Sequence, residues 1–222
     1  MLEIELLAAG LLQRIHSAAG HETLRVTDSG VAQLAQAFAR NKAVRSAHEA
    51  LVEQVATEMG RDGRVVWRGL SLRVQVQLDG SEVDTAPPWR MACPDVFSVR
   101  NTTVEAYLAP VVHEIKVSRA DLLGDLKKPE KRAAYLGMGG ECWYVLGQTA
   151  KGRPIAEAEE IPVECGVMLC QSGRLIVARP APRRPLDKLP FHVWMALAKA
   201  MPAALDEERA QAPMQAWPDH PD

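Results

Sequence analysis

Two acidic residues and one lysine carry the clearest chemical signal in this 222-residue chain. A Pro-Asp pair ends at Asp95, and after 18 intervening residues the chain reads Glu114-Ile115-Lys116. The surrounding segment 111–117, VVHEIKV, predicts a β-strand, in which alternate side chains share a face. Glu114 and Lys116 therefore point to the same side, and the opposite face of the strand is almost wholly apolar. The sequence thus predicts a carboxylate and an ammonium side by side at a strand end.

A second carboxylate is expected beside this pair. Asp95 opens the preceding predicted strand, and pairing of the two strands would bring it within reach of Glu114. Two carboxylates a few ångströms apart repel each other, which raises one pKa unless a cation lies between them. Mg²⁺ (or Mn²⁺) suits this position because it prefers oxygen ligands and keeps bound water. Lys116 would orient or deprotonate an attacking water, or stabilise charge on a phosphate, so the set predicts phosphodiester hydrolysis.

The spacing P-D, 18 residues, E-x-K resembles the PD-(D/E)xK superfamily of restriction-endonuclease-like nucleases. The following stretch, KVSRADLLGDLKKPEKRAAYLGMGGECWYVL (116–146), is similar to the MmcB-like DNA-repair branch, in which the E-x-K strand runs into S-R-A-D and a helix with a tyrosine. The resemblance covers roughly residues 45–180. It implies a metal-dependent nuclease acting on DNA. Its catalytic residues would be Asp95, Glu114 and Lys116, and its metal ligands Asp95, Glu114 and the Ile115 carbonyl.

The superfamily usually adds an acidic residue from the helix before the first strand. The helix predicted over 45–59 offers Glu49 at the border of its apolar face and Glu53 opposite the centre of that face. We therefore expect Glu49 to join the metal ligands, the alternative for both being a solvated helix face. His48 falls in the middle of the apolar face and is interpreted as a core histidine rather than a ligand.

Basic residues after the motif are the predicted DNA contacts. Residues 172–188 carry five basic side chains against one acidic side chain. The expected phosphate contacts are Arg119, Lys127, Lys128, Lys131, Arg183 and Arg184. Arg119 is favoured as the nearest to Lys116, although solvated helix faces with i,i+4 pairs also account for several of these residues. Tyr135 either hydrogen-bonds near the site or packs in the core.

Helices and strands must alternate to position these residues. Helical spacing predicts helices over 3–18, from Gly30 to about Arg40, and over 45–59, 119–128, 129–138 and 191–203. Strands are predicted over 20–26, 64–78, 95–99, 111–117, 142–147, 161–170 and 174–179, with residues 81–93 as a loop. Segment 64–78 is either one bent strand or a hairpin that turns near Gly69. This order predicts an α/β fold with a mixed sheet flanked by helices, in the form of a restriction-endonuclease-like core.

Three regions are expected along the chain. Residues 1–44 form a helical, partial winged-helix-like segment, or alternatively a small helical cap on the main domain. Residues 45–189 form the nuclease-like core, and residues 190–222 form a C-terminal helix and an acidic tail. By analogy with nucleases of this fold that cut two strands as dimers, we also expect a homodimer.

Composition excludes several classes of protein. Hydrophobic residues make up 47% of the chain and the net charge is −2, which excludes wholesale disorder and indiscriminate coating of nucleic acid. No run approaches the roughly 18 apolar residues of a membrane span. The N-terminus lacks the basic start of an export signal. The four cysteines contain no C-x-x-C pair, so we expect reduced structural thiols, rather than a zinc site, in a cytoplasmic protein.

Two alternative functions remain open. The first is a DNA-binding adaptor that keeps the fold but does not cleave, and the intact Asp-Glu-Lys set argues against it. The second is a transcription regulator built on the N-terminal segment, and the absence of the initial helices of a winged helix argues against that.

Overall fold

The computed structural model describes residues 2–16, 20–75, 89–185 and 188–204. The chain divides into two compact units, Met1–Ala47 and His48–Asp222. The first unit contains helix α1 (Leu2–Ala8), a hairpin of strands β1 (Leu12–His16) and β2 (Glu22–Val26), and the beginning of helix α2 (Asp28–Arg61). None of the helices in the described parts of the chain is long and apolar enough to cross a membrane.

The prediction of one helix over 3–18 is wrong. Helix α1 ends at Ala8, and Gly10 adopts a positive φ of 67°, a conformation that glycine tolerates and that ends the helix. Residues 12–16 then pair with β2, whose prediction is confirmed. Cross-strand pairing, which helical spacing of the leucines could not reveal, decides the structure of this segment.

The two helices predicted between Gly30 and residue 59 are one continuous helix of 34 residues, α2. No glycine or proline interrupts the segment between Gly30 and Gly60, so nothing breaks the helix where the gap was predicted. The predicted boundary between residues 44 and 45 therefore falls inside a helix.

The second unit is built around a six-stranded mixed sheet. After α2 the strands are β3 (Arg64–Arg68), β4 (Leu72–Gln75), β5 (Trp89–Ala92), β6 (Val96–Arg100), β7 (Val111–Lys116), β8 (Glu141–Leu146), β9 (Gly166–Gln171) and β10 (Arg174–Arg179). Helices α3 (Arg119–Leu126) and α4 (Pro129–Met138) connect β7 to β8, and α5 (Phe191–Lys199) follows β10. Short 3-10 turns cover Glu105–Tyr107 and Ala158–Glu160. The sheet order is β10-β9-β8-β7-β6-β3, with β7, β8 and β9 mutually parallel and the other pairs antiparallel.

Side-chain alternation in β7 divides the core into two layers. Val111 and Ile115 pack with the α2 residues Leu51, Val55 and Met59 on one face of the sheet. On the other face, Val112 packs in a cluster that includes residues of α3, α4 and α5. The predicted α/β class, a mixed sheet flanked by helices, is confirmed.

The segment around Gly69 differs from both predicted forms. Strand β3 ends at Arg68, Gly69 has a positive φ of 59°, and β4 leaves the main sheet to pair with β5. Strand β5 lies in the predicted loop 81–93, of which residues 81–88 lie outside the described residues. The other predicted elements are confirmed with small shifts: β9 begins only at Gly166, and α5 ends at Lys199.

Candidate active site

The site is built where β7 outruns its neighbour β6. Pairing between these strands ends at Val96 and His113, so β7 continues for three residues with that edge unpaired by β6. Asp95 fills the position, because its Oδ2 accepts a hydrogen bond from the Ile115 N–H at 2.7 Å. In an antiparallel ladder the N–H and C=O of one residue face the same neighbour. The Ile115 carbonyl therefore lies on the same edge of β7 as the Asp95 carboxylate.

Glu114 is buried, and both of its carboxylate oxygens accept hydrogen bonds. Its Oε1 accepts hydrogen bonds from Lys116 Nζ and Lys131 Nζ, each at 2.6 Å. Its Oε2 accepts a hydrogen bond from the Tyr135 hydroxyl at 2.8 Å, and the same hydroxyl lies 2.9 Å from the Cys93 carbonyl. The predicted proximity of Glu114 and Lys116 is present in the structure. Tyr135 both packs in the core and bonds to the site, so its two interpretations are not exclusive.

Asp125 is a second buried carboxylate, which the sequence interpretation missed. Its Oδ1 accepts from Lys131 Nζ at 2.6 Å and lies 3.6 Å from Lys116 Nζ, and its Oδ2 accepts from the Tyr144 hydroxyl at 2.8 Å. One signal was available in the sequence. Asp125 follows Leu122 by three residues, so it occupies a core-facing position of α3, where an acidic residue needs a partner.

The charges of this cluster hold one another ionised. Burial alone would lower the pKa of Lys116, but Glu114, Asp125 and Asp121 raise that pKa above its ordinary value. The same balance raises the pKa of Lys131. Burial would raise the pKa of Asp125, yet the two lysines and Tyr144 bring it below its ordinary value. Because Lys116 stays protonated, it is suited to stabilise negative charge rather than to take a proton from water.

Asp95 differs from these residues, because its surroundings favour the protonated, neutral form of its side chain. Burial, followed by the charge of Glu114, raises the pKa of Asp95 above its ordinary value, despite the Ile115 N–H, His48 and Lys116. The contact to His48 joins Nε2 to Asp95 Oδ1 at 3.3 Å. A cation bound at Asp95 would relieve this repulsion between the two carboxylates.

The donor set fits Mg²⁺ or Mn²⁺ in its chemistry. The carboxylates of Asp95 and Glu114 and the Ile115 carbonyl are hard oxygen donors gathered at one strand end. Glu114 Oε1, however, already accepts two ammonium groups, so metal binding there requires one lysine to move. In the described parts of the chain, no group of three or more His, Cys, Asp or Glu side chains is arranged to hold a metal ion.

Helix α2 directs His48, and not Glu49, to the site. The Glu49 side chain is 72% exposed, and its Oε1 lies 4.0 Å from His48 Nδ1. Glu53 forms an ion pair with Arg68. The interpretation of His48 as a core histidine is wrong. Its side chain is 28% exposed and contacts Asp95, because it precedes the first buried residue, Leu51, by three positions and lies at the rim of the helix–sheet contact.

The six basic residues predicted to contact DNA are not brought to one surface. Lys131 lies inside the carboxylate cluster, and Arg119 forms an ion pair with Glu160 of a 3-10 turn. Lys127 and Lys128 are exposed at the turn between α3 and α4. Arg183 and Arg184 lie in the segment after β10. Arg119 is therefore not directed at Lys116, and Lys131 takes its place as the additional cation of the site.

Arg183 and Arg184 line a cavity of about 270 Å³ at the starting ends of β7 and β8, together with Arg100, Glu141 and Tyr107. Arg183 Nε donates to Glu141 Oε1 at 3.1 Å. Arg64, the cross-strand neighbour of Arg100, lies close by. Burial, with contributions from Arg100 and Arg183, lowers the pKa of Arg64 to about 10. Two of the six predicted DNA contacts, Arg183 and Arg184, thus line one cavity together with a third arginine, Arg100.

Comparisons with known proteins give no family. No protein-family model matches the chain, and no curated protein matches it. A solved structure, that of a protein of unknown function from Silicibacter pomeroyi, is similar with a TM-score of 0.43 and 19% sequence identity. The match covers 67% of this chain and 80% of that chain.

Proposed function

We propose that the protein is a metal-dependent nuclease that hydrolyses DNA phosphodiester bonds in repair or processing. One observation carries the proposal. The Asp95 carboxylate accepts a hydrogen bond from the backbone N–H of Ile115, the residue that stands between the buried Glu114 and Lys116 in β7. This is the arrangement that the PD-(D/E)xK resemblance implies. The four cysteines are all free thiols, which supports action in the reducing cytoplasm.

Asp95, Glu114 and the Ile115 carbonyl would hold Mg²⁺ or Mn²⁺, which supplies Lewis-acid chemistry and a more acidic bound water. Lys116 keeps its charge and stabilises the negative charge that develops on the phosphate. Tyr135 fixes Glu114 through Oε2 and thereby orients the carboxylate. Asp125 accepts a hydrogen bond from Lys131 and lies near Lys116, so it would hold Lys131 when metal binding displaces that lysine from Glu114, and it helps to keep Lys116 charged.

DNA contacts are proposed at two places. The exposed Lys127 and Lys128 directly follow α3, whose Asp125 belongs to the site, and they would neutralise phosphates near it. Arg100, Arg183 and Arg184 line the cavity at the starting ends of β7 and β8, where the flanking strand would lie. Glu49, which is exposed, is not part of the proposed metal site.

One observation favours a second candidate, the DNA-binding adaptor. Glu114 has an ammonium pair on one oxygen and a tyrosine hydroxyl on the other, so the buried cluster is satisfied by its own side chains. Such a cluster can stabilise the fold without performing hydrolysis.

Cleavage of a panel of labelled DNAs separates the two candidates. The panel contains linear, single-stranded, nicked and branched substrates, with Mg²⁺ or Mn²⁺, and compares the wild type with Asp95→Asn and with Glu53→Gln as an exposed control. The nuclease proposal expects metal-dependent cutting that Asp95→Asn abolishes and Glu53→Gln retains, with DNA binding unchanged. DNA binding by the wild type without cutting of any substrate would support the adaptor instead.

A further inference from the structure

The first unit exposes most of its large apolar side chains. Among its described residues, 2–16 and 20–47, only Gly30 is buried. Nine large apolar side chains in the same ranges are exposed: Leu2, Ile4, Ile15, Leu24, Val26, Val31, Leu34, Phe38 and Val44. A unit of this size must bury apolar surface to offset the conformational entropy lost on folding. We therefore expect another protein surface to cover these side chains.

Three of these residues form a stripe on α2. Val31, Leu34 and Phe38 are 56%, 51% and 70% exposed. Their spacing of three and then four residues places them on one side of the helix, as in the contact seam of a coiled coil. We call Val31, Leu34 and Phe38 the apolar stripe.

The apolar stripe is self-complementary. If two copies of α2 pair in antiparallel fashion with Leu34 near the two-fold axis, Val31 of one copy faces Phe38 of the other. A two-fold interface of this type uses the same patch on both subunits.

The charges that flank the apolar stripe agree with the same pairing. Asp28 lies one turn before it and Lys42 one turn after it, and neither forms an ion pair with the residues that the structure describes. In the antiparallel arrangement Asp28 of each copy faces Lys42 of the other. Opposite charges at the two ends thus fit a second copy of the same helix, and they disfavour a parallel arrangement.

We infer that the chain forms a homodimer in which the apolar stripes of two α2 helices pair in antiparallel fashion. This inference is independent of the proposed nuclease activity.

The mass of the full chain in solution tests the inference. Sedimentation equilibrium is expected to give twice 24.3 kDa for the wild type and 24.3 kDa for Phe38→Glu. Val163→Glu, which changes a side chain in the second unit that is 78% exposed, is the matched control and should stay dimeric. Unchanged circular dichroism establishes that the Phe38 variant is folded. A monomeric wild type would overturn the inference and would indicate that the chain covers the stripe itself. A dimeric Phe38→Glu variant would overturn it as well.

A charge exchange tests the antiparallel register. Asp28→Lys and Lys42→Asp should each raise the dimer dissociation constant several-fold, because each places like charges opposite one another. The double variant Asp28→Lys/Lys42→Asp should return the constant close to the wild-type value. The informative comparison is with Asp28→Lys, because both proteins carry the same change at the helix start. A double variant that dimerises no more tightly than Asp28→Lys would overturn the antiparallel pairing.

Discussion

The negative charge of Asp95 is less well balanced by neighbouring cations than that of Asp125. Its pKa is raised by burial and by Glu114, so the folded protein binds a proton at Asp95 more tightly than the unfolded chain does. Wherever the folded state binds more protons, stability falls as pH rises. The ionised Asp95 therefore lowers the free energy of unfolding at neutral pH, and this loss disappears as pH falls through the raised pKa. Such a cost is typical of groups kept for function.

We predict that Asp95→Asn increases the free energy of unfolding at neutral pH. The amide oxygen still accepts the Ile115 N–H, and no buried charge remains to repel Glu114. The gain should shrink as the solution is acidified, because the wild type then becomes neutral at this position as well. Urea unfolding of both proteins at neutral and acidic pH measures the difference. A less stable Asn variant at neutral pH would contradict the electrostatic account of Asp95.

Lys131 competes with metal for Glu114, since its Nζ lies 2.6 Å from Glu114 Oε1 and 2.6 Å from Asp125 Oδ1. We predict that Lys131→Met binds Mn²⁺ roughly tenfold more tightly than the wild type, about 1.4 kcal/mol. Isothermal titration measures the affinity, and Lys128→Met, an exposed neighbour, serves as the control. Equal Mn²⁺ affinity in the Lys131 variant and the wild type would show that this lysine does not compete.

At the residue scale, the sequence predicts which side chains are neighbours when both lie on the same strand. The pairing of Glu114 with Lys116 follows from the period of two in β7 alone. Lys131 and Asp125 could not be placed in this way, because their contacts depend on how α3 and α4 pack over the sheet. His48 was misjudged for a related reason: periodicity gives the face of a helix but not where its contact with the sheet ends.

Close packing between strands decides which glycines of the second unit are replaceable. A Cβ atom on Gly166 in β9 would lie 2.5 Å from Trp143 Cε3 and 2.7 Å from the Ala181 nitrogen. A Cβ atom on Gly124 in α3 would meet no atom within 4 Å. Gly166 and Gly124 therefore provide a crowded position and an open control for the effect of adding a Cβ atom.

We predict that Gly166→Ala lowers the free energy of unfolding by about 1–3 kcal/mol, the cost of overpacking a filled core. Gly124→Ala should raise it by about 0.5–1 kcal/mol, because alanine is the better residue in a helix interior. Denaturant unfolding of both variants checks the two values. The packing account fails if the alanine at position 166 is tolerated without loss.

At the element scale, strands β6 and β7 were predicted to within one residue at each end. Elements that depend on distant pairing were not. The predicted helix 3–18 has leucines at helical spacing, yet its residues 12–16 form β1 and pair with β2. Strand β5 lies in a proline-bearing segment that predicts a loop, and its pairing with β4 makes it a strand. Local pattern cannot report a partner that follows later in the chain.

At the scale of the whole molecule, the proposed DNA contacts fall at two places: Lys127 and Lys128 at the α3–α4 turn, and the arginines that line the cavity. If the cavity holds a DNA phosphate, Arg184→Gln should weaken DNA binding and reduce the slope of log affinity against log salt by about one. Arg153→Gln changes an exposed arginine that does not line the cavity and is the control. Fluorescence anisotropy over a series of salt concentrations measures both. An unchanged slope for Arg184→Gln would remove the cavity from the DNA-binding surface.

The most direct test of the central claim is the rate at which the full chain cuts end-labelled DNA with Mg²⁺, measured for the wild type, Lys116→Met and Lys151→Met, a change of an exposed lysine outside the proposed site. The account predicts cutting by the wild type that a chelator stops, and a loss of at least roughly a hundredfold in Lys116→Met, comparable to removing one stabilising donor from a transition state. Lys151→Met should cut at nearly the wild-type rate. A Lys116→Met protein that cuts as fast as the wild type, or a wild type that cuts no DNA, would contradict the account.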